Sequence, residues 1–323
     1  MIVPAKVLLS CVNSVVSFIG YDLVAQKAFW YCPADRIRAC GASYGDGCLL
    51  IASDNFLIRM SAAKGVERLR LPGPHENLAH SVHALAGMGI GVADTGNSRV
   101  LLYGSDLTGY ISFDPLESWG ELPPDAIHLN DFVRTPRGLV ASCFNYRPYR
   151  LPEIPEYRWQ DKGYGLLLSL DKIRGKSVGR VVGCGLDCPH SLVWHQERLY
   201  CCASATGDFV RFGYSEHGTL CEEARIPITK EYFLRGALPL ANGDWLLGGS
   251  SVRKQSSKGM GLLLYGADGS VSDLHVAAAG EIYDILPWDD ALMRPLARLM
   301  NELPPIFDDG ENVFPPPCSD FPC

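Results

Sequence analysis

The chain has no apolar run of the 18 or more residues that a membrane helix needs, and no block of like charge along its 323 residues. Its 29 basic and 36 acidic residues are dispersed and leave a net charge of −7. That balance argues against nucleic acid or an anionic membrane as the main partner. Helical periodicity is nearly absent before residue 290. There is no G-x-S-x-G elbow, phosphate loop, dinucleotide fingerprint or H-E-x-x-H pair, so the sequence-readable signatures of several enzyme classes are missing. Gly87-Met88-Gly89-Ile90-Gly91 is followed by no helix and reads as a hairpin. The apolar stretch from Val7 to Ile19 contains Asn13 and Ser14 and has no small-x-small cleavage site, so it reads as strand rather than signal peptide. The expected location is cytoplasmic.

The 12 cysteines form no regular framework. Cys11, Cys40, Cys48, Cys143, Cys201 and Cys202 lie in apolar strand-like runs, where a free thiol behaves as a small hydrophobe. The pairs Cys184/Cys188 and Cys318/Cys323 lack the second pair that would complete a zinc site. Reduced thiols are therefore expected. A Cys40 nucleophile near His83 or Tyr283, or one in Cys188-Pro189-His190, is a minor alternative.

What the chain does have is a unit recurring about every 45 residues. Copies begin at Gly41, Ala84, Asp131, Ser191 and Gly236, with a truncated sixth at Asp284. Each is a short strand, a tight turn and a second apolar strand, with third strands legible at Val100 to Tyr103, Gly165 to Leu170, Asp208 to Phe212 and Gly261 to Tyr265. Four strands with turns fit that period, which predicts a propeller. The sixth copy has only its first strand. Lys6 to Val12, Val15 to Tyr21 and Lys27 to Cys32 are expected to supply the other three and so remove the sheet edges. The reading is an all-β, six-bladed β-propeller over residues 1–290, with its N-terminal strands completing the last blade. Residues 291–323 are a short C-terminal helix and Pro-rich tail packed outside, the helical pattern running from Asp290 to Leu303.

The position before each copy is Cys40, His83, Asn130, His190, Arg235 and Tyr283, a ring of chemically unlike residues. His80, His128, Asp131, Glu281 and Asp284 lie beside it, and in this alignment of the copies His83 and His190 share one repeat position. A ring of mixed polar residues that hydrogen-bonds neighbouring blades and holds water accounts for any one of these histidines. Four histidines with three carboxylates in one funnel also suit a divalent metal, with Zn, Fe or Mn preferred to Ca. In that reading His83 and His190, with His128, Asn130 or Glu281, hold the metal. Asp131 or Asp284 is the general base, Tyr283 joins the catalytic set, and Arg235 binds an anionic group. The 145–163 insertion adds Arg147, Tyr149 and Trp159 as a basic-aromatic flap over a small polar or anionic substrate. The expected activity is a metal-dependent hydrolase or lyase. The alternative is a non-catalytic propeller that binds a protein or glycan through its top face and this insertion.

Ala93-Asp94-Thr95-Gly96-Asn97-Ser98-Arg99-Val100 resembles the core of an NHL repeat. Pro189-His190-Ser191 with Trp194, Leu199, Ser204, Thr206 and Gly207 resembles an uncharacterised bacterial propeller family of the DUF4915 type, as do Leu234-Arg235-Gly236 and His128-Leu129-Asn130. These resemblances imply a propeller and no particular activity. Among six-bladed propellers, lactonases hold calcium with Glu, Asn and Asp, which Asn130, Asp131 and Glu281 echo. Amidating lyases use histidines around zinc, which His83 and His190 echo. Both are analogies of fold.

Overall fold

The computed structural model describes residues 4–119, 123–145, 163–250, 259–276 and 280–303. Short Val-, Leu- and Ile-rich runs broken by Gly and Asp turns form four-stranded antiparallel sheets, as their pattern requires. The N-terminus contributes β1 (Lys6–Val12), β2 (Val16–Asp22) and β3 (Lys27–Pro33). The first complete blade is β4 (Gly41–Gly45), β5 (Cys48–Ser53), β6 (Phe56–Ser61) and β7 (Gly65–Arg70). The second is β8 (Ala79–Leu85), β9 (Gly89–Asp94), β10 (Arg99–Tyr103) and β11 (Tyr110–Phe113). The third is β12 (Leu129–Thr135), β13 (Gly138–Cys143), β14 (Gly165–Ile173) and β15 (Lys176–Leu186). The fourth is β16 (Pro189–His195), β17 (Arg198–Ala203), β18 (Asp208–Tyr214) and β19 (Leu220–Pro227). The fifth is β20 (Phe233–Pro239), β21 (Trp245–Ser250), β22 (Gly261–Tyr265) and β23 (Val271–Asp273). The sixth sheet has the order β24-β1-β2-β3, with β24 (Glu281–Pro287) pairing antiparallel with β1. Each inner strand touches the next around the ring, from β4 through β8, β12, β16 and β20 to β24 and back to β4. The protein is a six-bladed β-propeller.

The apolar faces of adjacent blades interleave into cores. One joins Leu8, Phe18, Leu49 and Ile51 to Met293, Leu296 and Met300 of helix α1 (Asp290–Glu302). Asp289 caps that helix, accepting from the backbone N–H groups of Ala291 at 2.8 Å and Leu292 at 3.3 Å. The helical turn continues through Pro295, and Met293, Leu296, Ala297 and Met300 are its buried face. The Pro-rich tail and the flap residues Arg147, Tyr149 and Trp159 lie outside the described residues. No described helix is long and apolar enough to cross a membrane.

The NHL-like segment has a structural explanation here. Asp94, fully buried, accepts from Asn97 at 2.9 Å and from Arg99 at 2.8 Å, while Arg99 also donates to the Pro72 carbonyl. Thr95 donates its hydroxyl to the Leu129 carbonyl at 2.6 Å, tying the second blade to the third. Gly96 packs against the Glu76 carbonyl so closely that a Cβ would fall 1.9 Å from that oxygen. The segment staples a turn to its neighbours.

Candidate functional site

Five inner strands carry a one-residue irregularity against their partner strand near the start, and β4 does not. Such bulges re-aim side chains at a site rim. They also set which residues are equivalent. Counted from the first residue of each strand, His190 is second, level with His80 and Asn130. His83 is fifth, level with Val133, Val193, Ala237 and Ile285, and these five pair with Gly91, Val140, Tyr200, Leu247 and Leu9. His83 and His190 therefore do not share a repeat position. The glycine-rich turn at 87–91 offers no residue-level anchor for a sequence comparison, whereas the hydrogen-bond register does.

Three side chains brace one blade to the next through backbone N–H groups. Asp131 Oδ2 accepts from Leu192 at 2.6 Å, Ser191 Oγ from Gly236 at 2.7 Å, and Asp284 Oδ2 from Ala42 at 2.7 Å. These contacts hold both aspartates in fixed orientations. Asp131 Oδ1 also meets His83 Nε2 at 2.8 Å, and the His83 ring lies edge-on to Phe132 at 5.0 Å. The bond to the carboxylate places a proton on Nε2. His83 Nδ1 and Asp284 Oδ1 have no hydrogen-bond partner among the described residues. Although His83 sits deep in the wall, 27% of its side-chain surface is open to water, as a channel-lining group requires.

The charges are coupled. Burial disfavours the His83 imidazolium, but the charge and hydrogen bond of Asp131, with the charge of Asp284, outweigh it and raise the His83 pKa above its ordinary value. Burial, reinforced by the charge of Asp131, pushes Asp284 up to about 7, while the Ala42 N–H and His83 oppose that rise. Near neutral pH Asp284 is thus poised between acid and base, coupled to an imidazole whose charged form Asp131 and Asp284 favour.

The other candidates have partners. His190 is 1% exposed. Its Nδ1 lies 2.8 Å from both the Cys188 carbonyl and Ser204 Oγ, and its Nε2 lies 3.0 Å from Asn130 Nδ2. The carbonyl requires a proton on Nδ1 and the Asn130 amide requires a lone pair on Nε2, so this is a neutral imidazole with both nitrogens engaged. His128 Nδ1 lies 2.8 Å from Asp125. Arg235 pairs with Glu281 at 2.7 Å, both buried, and Glu281 also accepts from Asn13 at 2.8 Å. The Arg235 guanidinium lies 4.6 Å from the Tyr283 ring centre and 5.0 Å from that of Phe233. The Cys40 thiol is pushed up to about 12 by burial first and the Asp54 charge second, which leaves it protonated and a poor nucleophile.

A divalent metal needs three or more convergent donors. Among the described residues no group of three His, Cys, Asp or Glu side chains is placed to hold one. Both ring nitrogens of His190 are engaged, and Glu281 is engaged by Arg235 and Asn13. The donor set His83, His190, His128, Asn130 and Glu281 does not fit a metal centre.

Sequence reasoning missed a collar of rings at the strand starts. His80 lies 5.1 Å from His128 and 5.8 Å from Tyr283, and His128 lies 4.3 Å from Phe144. His190 follows at 5.1 Å from Phe144 and 5.4 Å from Phe233. Phe144 and Phe233 gave a signal only through position, one just after a second strand and one beginning an inner strand.

No protein-family model and no curated protein matches the chain, so the NHL-like and DUF4915-type resemblances gain no support from those comparisons. Solved structures do resemble it. A chain of a nidogen/laminin complex has a TM-score of 0.58 at 13% identity, covering 87% of this chain and 97% of that one. A calcium-binding protein, regucalcin, from Agrobacterium tumefaciens has a TM-score of 0.51 at 15% identity, covering 74% of this chain and 73% of that one. A putative gluconolactonase has a TM-score of 0.52 at 13% identity, covering 76% and 79%. At such identities the likeness establishes the propeller fold.

Proposed function

We propose that the protein is an acid–base enzyme of hydrolase or lyase type, acting on a small polar or anionic substrate in the propeller's central channel. One observation carries this reading. His83 is pinned by Asp131 through Nε2, has no partner on Nδ1 among the described residues, and is electrostatically coupled to an Asp284 carboxyl raised to about 7.

In the reactive state Asp284 is ionised and His83 is an imidazolium. Asp284 Oδ1 takes a proton from the substrate or from an attacking water, and His83 Nδ1–H gives one to the departing oxygen. Solvent exchange returns the Asp284 proton and replaces the His83 proton after each turnover. Asp131 is a positioning residue: it orients the imidazole and sustains its charge, and takes no proton itself. The ring collar then shapes the entrance. Because the residues do not converge as metal donors, no step is routed through a metal.

The test is a panel of small lactones, esters and hydroxy acids incubated with the purified protein and followed by proton NMR. Turnover of at least one compound is expected, and His83→Gln should lower it by about 10²–10⁴-fold, the usual worth of a positioned acid or base. Saturable binding of a protein or glycan, with no turnover and no effect of His83→Gln, would instead favour the docking reading.

A further inference from the structure

Away from the channel, a cavity of about 240 Å³ opens between the third and fourth blades. Arg137, Ser169, Arg180, Val182, Tyr214, His217 and Gly218 line it. They come from the β12–β13 turn, from β14 and β15, and from the end of β18 and the turn after it. This is the end at which the inner strands finish, the opposite end from the ring collar.

The donors can be accounted for one by one. The Ser169 hydroxyl is 3.1 Å from Asp171 and donates to it. Thr135 donates to the Gly138 carbonyl at 3.0 Å, so the 2.9 Å contact between Thr135 Oγ1 and the Tyr214 hydroxyl is a bond from tyrosine to threonine. Both lining hydroxyls therefore have their hydrogens engaged. The donors left are the guanidiniums of Arg137 and Arg180 and the His217 ring. No lining residue is acidic, and neither arginine has a carboxylate partner among the described residues.

Arg137 is also held in place. Its guanidinium lies 5.0 Å from the centre of the Tyr214 ring. Gly218 makes room for it: the backbone there is left-handed, at φ +80°, and a Cβ would fall 2.7 Å from Arg137 Nη1. A stacked guanidinium has less freedom to lose on binding, and its planar fork matches an oxyanion. The volume is below the roughly 300–1,000 Å³ of sites for drug-sized ligands, so the occupant is small.

We infer that this cavity is an anion site for phosphate, either the free ion or the head of a small phosphomonoester. It is independent of the channel chemistry proposed above.

Isothermal titration with inorganic phosphate, against sodium chloride at matched ionic strength, tests it. Saturable one-site binding is expected, weakened at least tenfold in Arg137→Gln/Arg180→Gln and unchanged in His83→Gln. Should the double variant not fold, Arg180→Gln alone carries the comparison, because Arg180 is exposed and packs in no core. A parallel titration with glycerol 1-phosphate separates the sources: equal or tighter binding assigns the site to an ester, weaker binding to the free ion. Heats no different from chloride, or a double variant that binds within twofold of the parent, would overturn the assignment.

Discussion

Asp284→Asn should lower turnover by about 10²–10⁴-fold and flatten the dependence of stability on pH. The first effect follows from removing the base. The second follows from the raised carboxyl, about 7 in the folded chain against an ordinary value of 3.8. Below the ordinary value Asp284 is neutral in both states and costs nothing. As pH rises toward 7 the unfolded chain ionises first, so the folded state loses ground, and above 7 the loss is constant. At about 1.4 kcal/mol per tenfold change in proton affinity, the loss has an upper bound of about 4 kcal/mol. Because Asp284 is only partly buried, solvent reduces it. His83 adds a change of the same sign, since its raised pKa stabilises the fold below its ordinary value and that contribution disappears as pH rises through the folded value. The asparagine keeps an oxygen for the Ala42 N–H and cannot ionise. Urea unfolding between pH 4 and pH 8 should show the parent losing more stability than the variant as pH rises, because Asp54, Asp94, Asp114 and His83 still titrate in both. An equal slope in both proteins would contradict the raised carboxyl.

Glu281→Ala should destabilise the propeller by about 3–5 kcal/mol, because it removes the buried carboxylate that pairs with the Arg235 guanidinium. That is a large part of the roughly 5–15 kcal/mol by which domains are stable. The pair joins the fifth blade to the sixth, and Asn13 extends it to the β1–β2 turn. Arg235→Met combined with Glu281→Leu removes both charges and should recover most of the loss, as replaced buried pairs commonly do. The double variant also separates two roles of Arg235. Stability restored with turnover intact makes the pair a structural brace. Stability restored with KM raised for anionic substrates makes Arg235 the anion holder suggested by its place in the ring.

The fold was legible because a blade is a local unit. Each hairpin places its apolar residues at alternating positions and its glycines at turns, so six such signals add up to a ring. Asp131, His83 and Asp284 were legible as residue types near strand starts. Their arrangement was not, because it depends on contacts between blades. Asp131 meets a histidine 48 positions earlier, and no spacing rule predicts such a pair. The equivalence of His83 and His190 failed for a related reason: pairing along the strands decides level, and the 87–91 turn hides it. Two of the expected metal ligands have partners invisible in sequence. His190 is engaged by Asn130 and Cys188, and Glu281 by Arg235.

The most direct test of the coupled His83–Asp131–Asp284 centre is an NMR pH titration of the His83 imidazole in the parent, Asp131→Asn and Asp284→Asn proteins. It needs no knowledge of the substrate. The account predicts a His83 pKa above the ordinary value in the parent, a marked fall in Asp131→Asn, and a smaller fall in Asp284→Asn. A parent His83 that titrates at or below the ordinary value, or one that neither substitution moves, would contradict it.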